Sequence, residues 1–116
     1  MVDERVISVK LKQIEQYHGE LKRKQETLSN REFLSSTTEQ RAVERMFENV
    51  IQASGDLAQH IATREFGFNG TTSKGAIRVL SREGVIDEET ANTLVAAIGF
   101  RNVLAHEYGH LTSSPL

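Results

Sequence analysis

Hydrophobic residues recur three or four positions apart along most of the chain, which is the spacing of one face of an α-helix. Between residues 3 and 28 this face carries the hydrophobic residues Ile7, Leu11, Ile14, Leu21 and Leu28, with His18 among them. The pattern predicts a first helix here, with Asp3 and Glu4 suited to the positive end of its dipole. The residues after Leu28 break the pattern and leave room for one short turn around Phe33 and Leu34.

A second helix is predicted from Ser36, which together with Glu39 has the spacing of a capping box, to about Arg64. Its hydrophobic stripe is Val43, Phe47, Val50, Ser54, Leu57 and Ile61, widened by Met46, Ile51 and Ala58. A stripe this wide is typical of a helix with neighbours on more than one side. Arg45 and Asp56 are charged residues on this helix, either paired within the bundle or facing solvent, and we assign them no function.

Three glycines in residues 66–75 predict a loop, followed by a third helix at about residues 74–83 that carries Ile77, Val79 and Leu80. Gly84 suits the end of that helix, and Asp87 suits the N-cap of the next. The fourth helix carries Leu94, Val95, Ile98, Arg101 and Ala105. With Pro115 as the one proline and no convincing strand, the sequence predicts an all-α fold. We expect an up-and-down bundle of four main helices with mostly antiparallel neighbours, forming a single domain over residues 1–116.

Composition limits the class of protein. The 116 residues include no cysteine, which excludes disulfides and thiolate metal sites and favours a reducing, cytoplasmic location. The N-terminus is charged from its third residue, so no secretory signal is visible, and no apolar run approaches the ~20 residues that span a bilayer. The net charge of −2 gives no general attraction to nucleic acid, so any RNA contact must come from a local basic cluster.

The stretch RNVLAHEYGH, residues 101–110, fits two incompatible patterns. Residues 106–110, HEYGH, match the H-E-x-x-H pattern of zinc proteases, in which two histidines on one helical face bind the metal. A catalytic zinc needs a third protein ligand. The six residues after His110 offer none of the usual kinds, and nothing points to His18 or His60 upstream. Gly109 also weakens a helix through the motif by about 1 kcal/mol. We therefore predict no metal site.

The second pattern is Arg-x4-His-x-Tyr, formed by Arg101, His106 and Tyr108. Arg101 and His106 lie about 140° apart on an ideal helix, so they converge only if the helix ends near His106 or if two copies line one cleft. Histidine moves protons near neutral pH, and arginine binds phosphate oxygens. With Asn102 to orient a hydroxyl or the imidazole, these groups suit metal-free RNA cleavage by the ribose 2′-OH. The residues alone also fit a helix end that carries cations for its dipole, with no catalytic role.

The sequence resembles the HepT-like family of the HEPN superfamily of small helical ribonucleases. The matching stretches are residues 33–62, the glycine-rich loop, and LSREGVIDEETANTLVAAIGFRNVLAHEY at residues 80–108. Arg101, His106 and Tyr108 occupy all three fixed positions of the family motif. Family members usually continue past the tyrosine into a further helix, whereas this sequence ends eight residues later. We therefore expect the final family helix to be missing or short.

The resemblance implies a metal-independent endoribonuclease toxin of a toxin–antitoxin pair, working as a homodimer without a cofactor. Arg101, His106 and Asn102 are the catalytic candidates. The implied partner is a minimal nucleotidyltransferase antitoxin that silences the toxin by transferring AMP to Tyr108. The alternative is a non-catalytic subunit that binds such a nucleotidyltransferase and presents Tyr108 or a substrate to it.

Further basic residues are candidate RNA contacts, although most such residues are solvated helix faces. They are Lys22, Arg23 and Lys24 on the first helix, and Arg78 and Arg82 on the third. Three histidines lie outside the motif positions. We expect His18 to be packed on the hydrophobic stripe and His60 to have a capping or surface role. His110 lies two residues past Tyr108, and the sequence does not assign its role.

Overall fold

The chain folds into helices, as the hydrophobic spacing predicts. A computed structural model describes the backbone of residues 2–112 and the side chains of residues 2–102. The helices are α1 (Glu4–Thr27), α2 (Asn30–Ser35), α3 (Thr37–Phe66), α4 (Ser73–Arg82) and α5 (Glu88–Thr112), and the described backbone contains no strand. The all-α bundle of four main helices is therefore confirmed, and the short α2 lies where the sequence predicts one turn. No described helix has the length and hydrophobicity needed to cross a membrane.

Polar side chains begin each helix by accepting hydrogen bonds from backbone N–H groups that lack a partner within the helix. The complete capping box lies at Ser29 and Glu32, which bind each other's backbone N–H groups. The box predicted at Ser36 is only half formed. The Ser36 hydroxyl accepts from the Glu39 N–H at 3.2 Å, but the Glu39 carboxylate accepts from Lys24 Nζ at 2.7 Å. A charged donor attracts a carboxylate more strongly than a neutral amide does.

Helix α3 is central, because it packs against every other helix, whereas α1 contacts only α3 among the described residues. Lys10 pairs with Asp56 at 3.1 Å and Lys24 with Glu39 at 2.7 Å, so the two helices run antiparallel. At the start of α1, the Asp3 N–H donates to His60 Nε2 at 3.0 Å. His60 therefore has the predicted capping role, but it caps a different helix.

The face of α1 that meets α3 differs from the predicted stripe. Six of its partly buried positions alternate in steps of three and four: Ile7, Lys10, Ile14, Tyr17, Leu21 and Lys24. Leu11 is 45% exposed and His18 is exposed, so the prediction that His18 is packed is wrong. A seven-residue repeat keeps this face toward a single neighbouring helix, and long lysine stems cover apolar surface while their ammonium groups reach carboxylates.

The core lies between α3, α4 and α5. Its buried residues are Ile51, Ala58, Ala62, Ala76, Ile77, Val79, Leu80, Ala91 and Ile98. Four of these nine are alanines, so the helix axes can approach closely. Gly67 and Gly84 have positive φ values of 63° and 77°, where α3 and α4 end, and this left-handed backbone favours glycine.

Candidate functional site

A polar groove between α3 and α5 contains the arginine of the sequence motif. Partly buried Arg101 lines it from α5, and Arg45, Glu48, Asn49 and Gln52 line it from α3. The four α3 residues are spaced by three, one and three positions, which places them on one helical face. The groove has a volume of about 320 Å³ and is lined by two guanidinium groups, two amides and the carboxylate of Glu48.

The Arg101 guanidinium is held from two sides. Its Nη1 donates to Gln52 Oε1 and its Nη2 donates to Asn102 Oδ1, both at 3.4 Å. Each hydrogen bond is long, but together they occupy one N–H on each terminal nitrogen. The remaining N–H groups can serve other acceptors, such as phosphate oxygens.

Gln52 is fixed in turn by a charged pair. Its Nε2 donates to Asp56 Oδ1 at 2.9 Å, and Lys10 Nζ donates to Asp56 Oδ2 at 3.1 Å. The result is a chain of hydrogen bonds from Lys10 on α1, through Asp56 and Gln52 on α3, to Arg101 on α5. Asp56, to which the sequence assigns no function, is therefore paired within the bundle.

His106 and Tyr108 lie on α5, which runs to Thr112. Their side chains, and that of His110, lie outside the described residues, so their positions in a site remain predictions. The backbone nevertheless removes one of the two routes by which Arg101 and His106 could meet. Helix α5 does not end near His106, and the pair stays about 140° apart around a continuous helix.

The other basic candidates lie away from the groove or already have partners. Lys22 and Arg23 are exposed on α1, but Lys24 is turned toward α3 and paired with Glu39. On α4, Arg78 Nη1 donates to Asn92 Oδ1 at 2.8 Å, and Arg82 Nε lies 3.6 Å from Glu83 Oε1. Arg78 and Arg82 line a separate groove that also contains Asp87 and Glu88.

No group of three or more His, Asp or Glu side chains in residues 2–102 is arranged to hold a metal ion. Of the two upstream histidines considered as a third zinc ligand, His60 has its Nε2 engaged with the Asp3 N–H, and His18 is exposed on α1.

Two comparisons with known proteins agree with each other. Residues 14–114 match the family described as Ribonuclease HepT-like. The chain belongs to the HepT-like ribonuclease family. It is also 31% identical over 103 residues to a tRNA nuclease HepT from Aphanizomenon flos-aquae (strain 2012/KM1/D3), a match that covers 89% of this chain and 69% of that protein. The resemblance noted in the sequence is thus confirmed, and the chain is an RNA endonuclease with RNA as its substrate class.

Sequence reasoning missed the α3 half of the groove. The sequence assigns Arg45 and Asp56 no function and does not single out Gln52. One signal is present: Arg45, Asn49, Gln52 and Asp56 follow steps of four, three and four, which makes a polar stripe along the helix. The sequence does not indicate that this stripe faces the motif arginine on another helix.

Proposed function

We propose that the protein is a metal-independent endoribonuclease toxin, and that it cleaves RNA by attack of a ribose 2′-OH on the adjacent phosphorus. The main support is the family match over residues 14–114, which contains the complete Arg-x4-His-x-Tyr motif. Arg101 lies in a polar groove whose two arginines outnumber its one carboxylate, Glu48, and this excess of positive charge also suits a polyanionic substrate. The name of the cyanobacterial relative makes tRNA the first substrate to test.

In this mechanism Arg101 binds the scissile phosphate and stabilises the charge that builds up on its oxygens. His106 is the general acid and base: as a base it takes the proton of the 2′-OH while the oxygen attacks phosphorus. The bond to the 5′-oxygen breaks, and that oxygen leaves with a proton from an imidazolium. The products are a 2′,3′-cyclic phosphate and a 5′-hydroxyl. Asn102, which accepts from Arg101 at 3.4 Å, keeps its proposed role as a positioning group.

The continuous α5 supports a homodimer as the active form. Positions 101 and 106 are about 140° apart around one helix, so one copy does not place both on the same helical face. A second copy could supply the missing group to each cleft. Two copies of His106 would also let one imidazole act as base while the other acts as acid.

We further propose that AMP transfer to Tyr108 by a minimal nucleotidyltransferase antitoxin silences the enzyme. Tyr108 is seven residues from Arg101, so the two positions lie close in angle around α5. A phosphate on Tyr108 would neutralise the arginine and repel RNA. Incubation with such a nucleotidyltransferase and ATP should add adenylyl mass to the protein but not to a Tyr108→Phe variant. Unchanged mass of the unsubstituted protein would contradict this regulation.

The deciding experiment is RNA cleavage by the unmodified protein in excess chelator, with Arg101→Ala and His106→Ala alongside. We expect cleavage to persist in chelator and to fall at least about 100-fold in both variants, because each removes a group that acts in the transition state. Helicity and oligomeric state should be unchanged. Cleavage retained in His106→Ala would refute the assignment, and no cleavage by a folded, unmodified protein would favour the binding-subunit alternative.

A further inference from the structure

The chain of hydrogen bonds that ends at Arg101 joins three helices. Lys10 donates to Asp56 at 3.1 Å, Gln52 donates to Asp56 at 2.9 Å, and Arg101 donates to Gln52 at 3.4 Å. The Lys10 and Asp56 side chains are 27% and 38% exposed, so this end of the series of hydrogen bonds is partly shielded from water. The shorter bonds lie at the shielded end, and the longest lies at the groove.

The order of donors and acceptors in this series of hydrogen bonds determines the orientation of the Gln52 amide. A carboxylate can only accept, so Asp56 requires Gln52 to present its NH₂ group. The carbonyl oxygen of the same amide must then face the opposite way, toward Arg101. Guanidinium can only donate, so it meets the one atom of Gln52 able to accept from it. The Lys10 ammonium offsets the negative charge of Asp56.

We infer that Gln52 is a positioning residue for Arg101, held in its orientation by Asp56 and Lys10. This inference rests on the proposed role of Arg101 at the scissile phosphate. A free arginine side chain samples many rotamers, and the hydrogen bond that Arg101 donates to the Gln52 amide oxygen favours those in which the guanidinium lies beside Gln52 in the groove. Prior placement of the charge, before substrate arrives, is what lowers the barrier in electrostatic catalysis.

The matched pair of variants is Asp56→Asn and Glu39→Gln. Each removes one ion pair between α1 and α3, and the exposures of the two pairs are similar, 27% and 38% against 31% and 29%. The amide introduced by Asp56→Asn can both donate and accept, so it no longer requires one orientation of the Gln52 amide. The Glu39 substitution touches nothing in the groove. Both should lower thermal stability to a similar small extent, and only Asp56→Asn should lower kcat for RNA cleavage.

The direct variant is Gln52→Ala, measured in the full chain with a defined RNA substrate. We expect kcat to fall about three- to tenfold, the range of a single hydrogen bond, with KM changed less. In an Arg101→Ala background the same substitution should have no further effect, because Gln52 acts through the arginine. A structural role or a direct substrate contact would instead reduce kcat in both backgrounds.

The outcomes separate this inference from the proposed function. If Arg101→Ala cleaves RNA normally, the proposed role of Arg101 fails and the inference fails with it. If Arg101→Ala is impaired but Gln52→Ala is not, the inference alone is overturned. Equal losses of kcat in Asp56→Asn and Glu39→Gln would also overturn it, because general destabilisation would then explain both.

Discussion

Two glycines inside helices should respond to the same substitution with opposite signs. Gly19 lies in the middle of α1, and a Cβ added there would meet no atom within 4 Å. Gly55 lies in α3, and a Cβ there would lie 2.5 Å from Ser73 Oγ and 3.0 Å from Ser73 Cβ. Neither glycine has positive φ, so alanine fits both backbones.

Two opposing effects, helix propensity and overpacking, set the change in the free energy of unfolding. Replacing glycine by alanine within a helix stabilises it by about 0.5–1 kcal/mol. Gly19→Ala should therefore raise the free energy of unfolding by that amount. At Gly55 the same gain is opposed by overpacking, which costs about 1–3 kcal/mol. Ser73 cannot relieve the contact by rotation alone, because its Cβ is one of the two atoms in conflict, and its Oγ also accepts from Gln59 Nε2 at 3.0 Å. We expect a net loss of about 1 kcal/mol for Gly55→Ala.

The assay is urea unfolding followed by far-UV circular dichroism, with both variants compared with the unsubstituted protein. Adding Ser73→Gly to Gly55→Ala removes both conflicting atoms and should recover part of the loss as a favourable coupling. If Gly55→Ala stabilised the protein as much as Gly19→Ala does, the close contact between α3 and α4 at Ser73 would be refuted.

Three further predictions test the remaining parts of the structure. Hydrogen bonds from Thr90 lower the pKa of the Asp87 carboxyl, so its stabilising effect is present above the unfolded-state pKa and is lost as pH falls through the folded-state pKa. Asp87→Asn, which still caps α5, should therefore lose less stability on acidification, as measured by unfolding midpoints across pH. Ile77→Ala, at a side chain only 1% exposed, should lower the free energy of unfolding by about 2–5 kcal/mol in urea. Arg45→Ala should weaken binding of a non-cleavable RNA and reduce the slope of log affinity against log salt by about 1, whereas Arg5→Ala, with a side chain 94% exposed on α1, should change neither.

The helices could be read from the sequence because their ends carry local signals. Asp3, Ser36 and Asp87 each begin a helix at the predicted place, and the observed α1, Glu4–Thr27, departs by one residue at each end from the predicted segment. These signals depend on neighbouring residues alone, since a cap binds an N–H two or three positions away. Ile77, Val79 and Leu80, the hydrophobic residues of the predicted third helix, are buried in the structure.

The face that α1 presents to α3 could not be read in the same way. The sequence pattern favoured Leu11 and His18, whereas the contact uses Lys10 and Tyr17. No residue of α1 is fully buried, so hydrophobicity alone does not distinguish neighbouring positions such as 10 and 11. The Asp56 carboxylate, which lies 3.1 Å from the Lys10 ammonium, favours the observed face. This preference depends on a residue of α3, so the spacing of hydrophobic residues in α1 does not reveal it.

In the candidate site, too, contacts within one helix can be predicted from the sequence, whereas contacts between helices cannot. Spacing within residues 101–108 is enough to single out Arg101 and to calculate its angle to His106, because both lie on one helix whose geometry is known in advance. The partner of Arg101 is Gln52, 49 positions earlier, and the partner of Gln52 that orients it is Asp56. Glutamine is common on helix surfaces, so the residue type alone does not identify Gln52 as part of a site. Its role follows from the packing of α3 against α5. Ile51 and Ile98 belong to the same buried cluster, and this packing places Gln52 beside Arg101 at the groove. The packing of the core thus determines the surroundings of the arginine, and a sequence motif can name the catalytic candidate without naming what holds it in place.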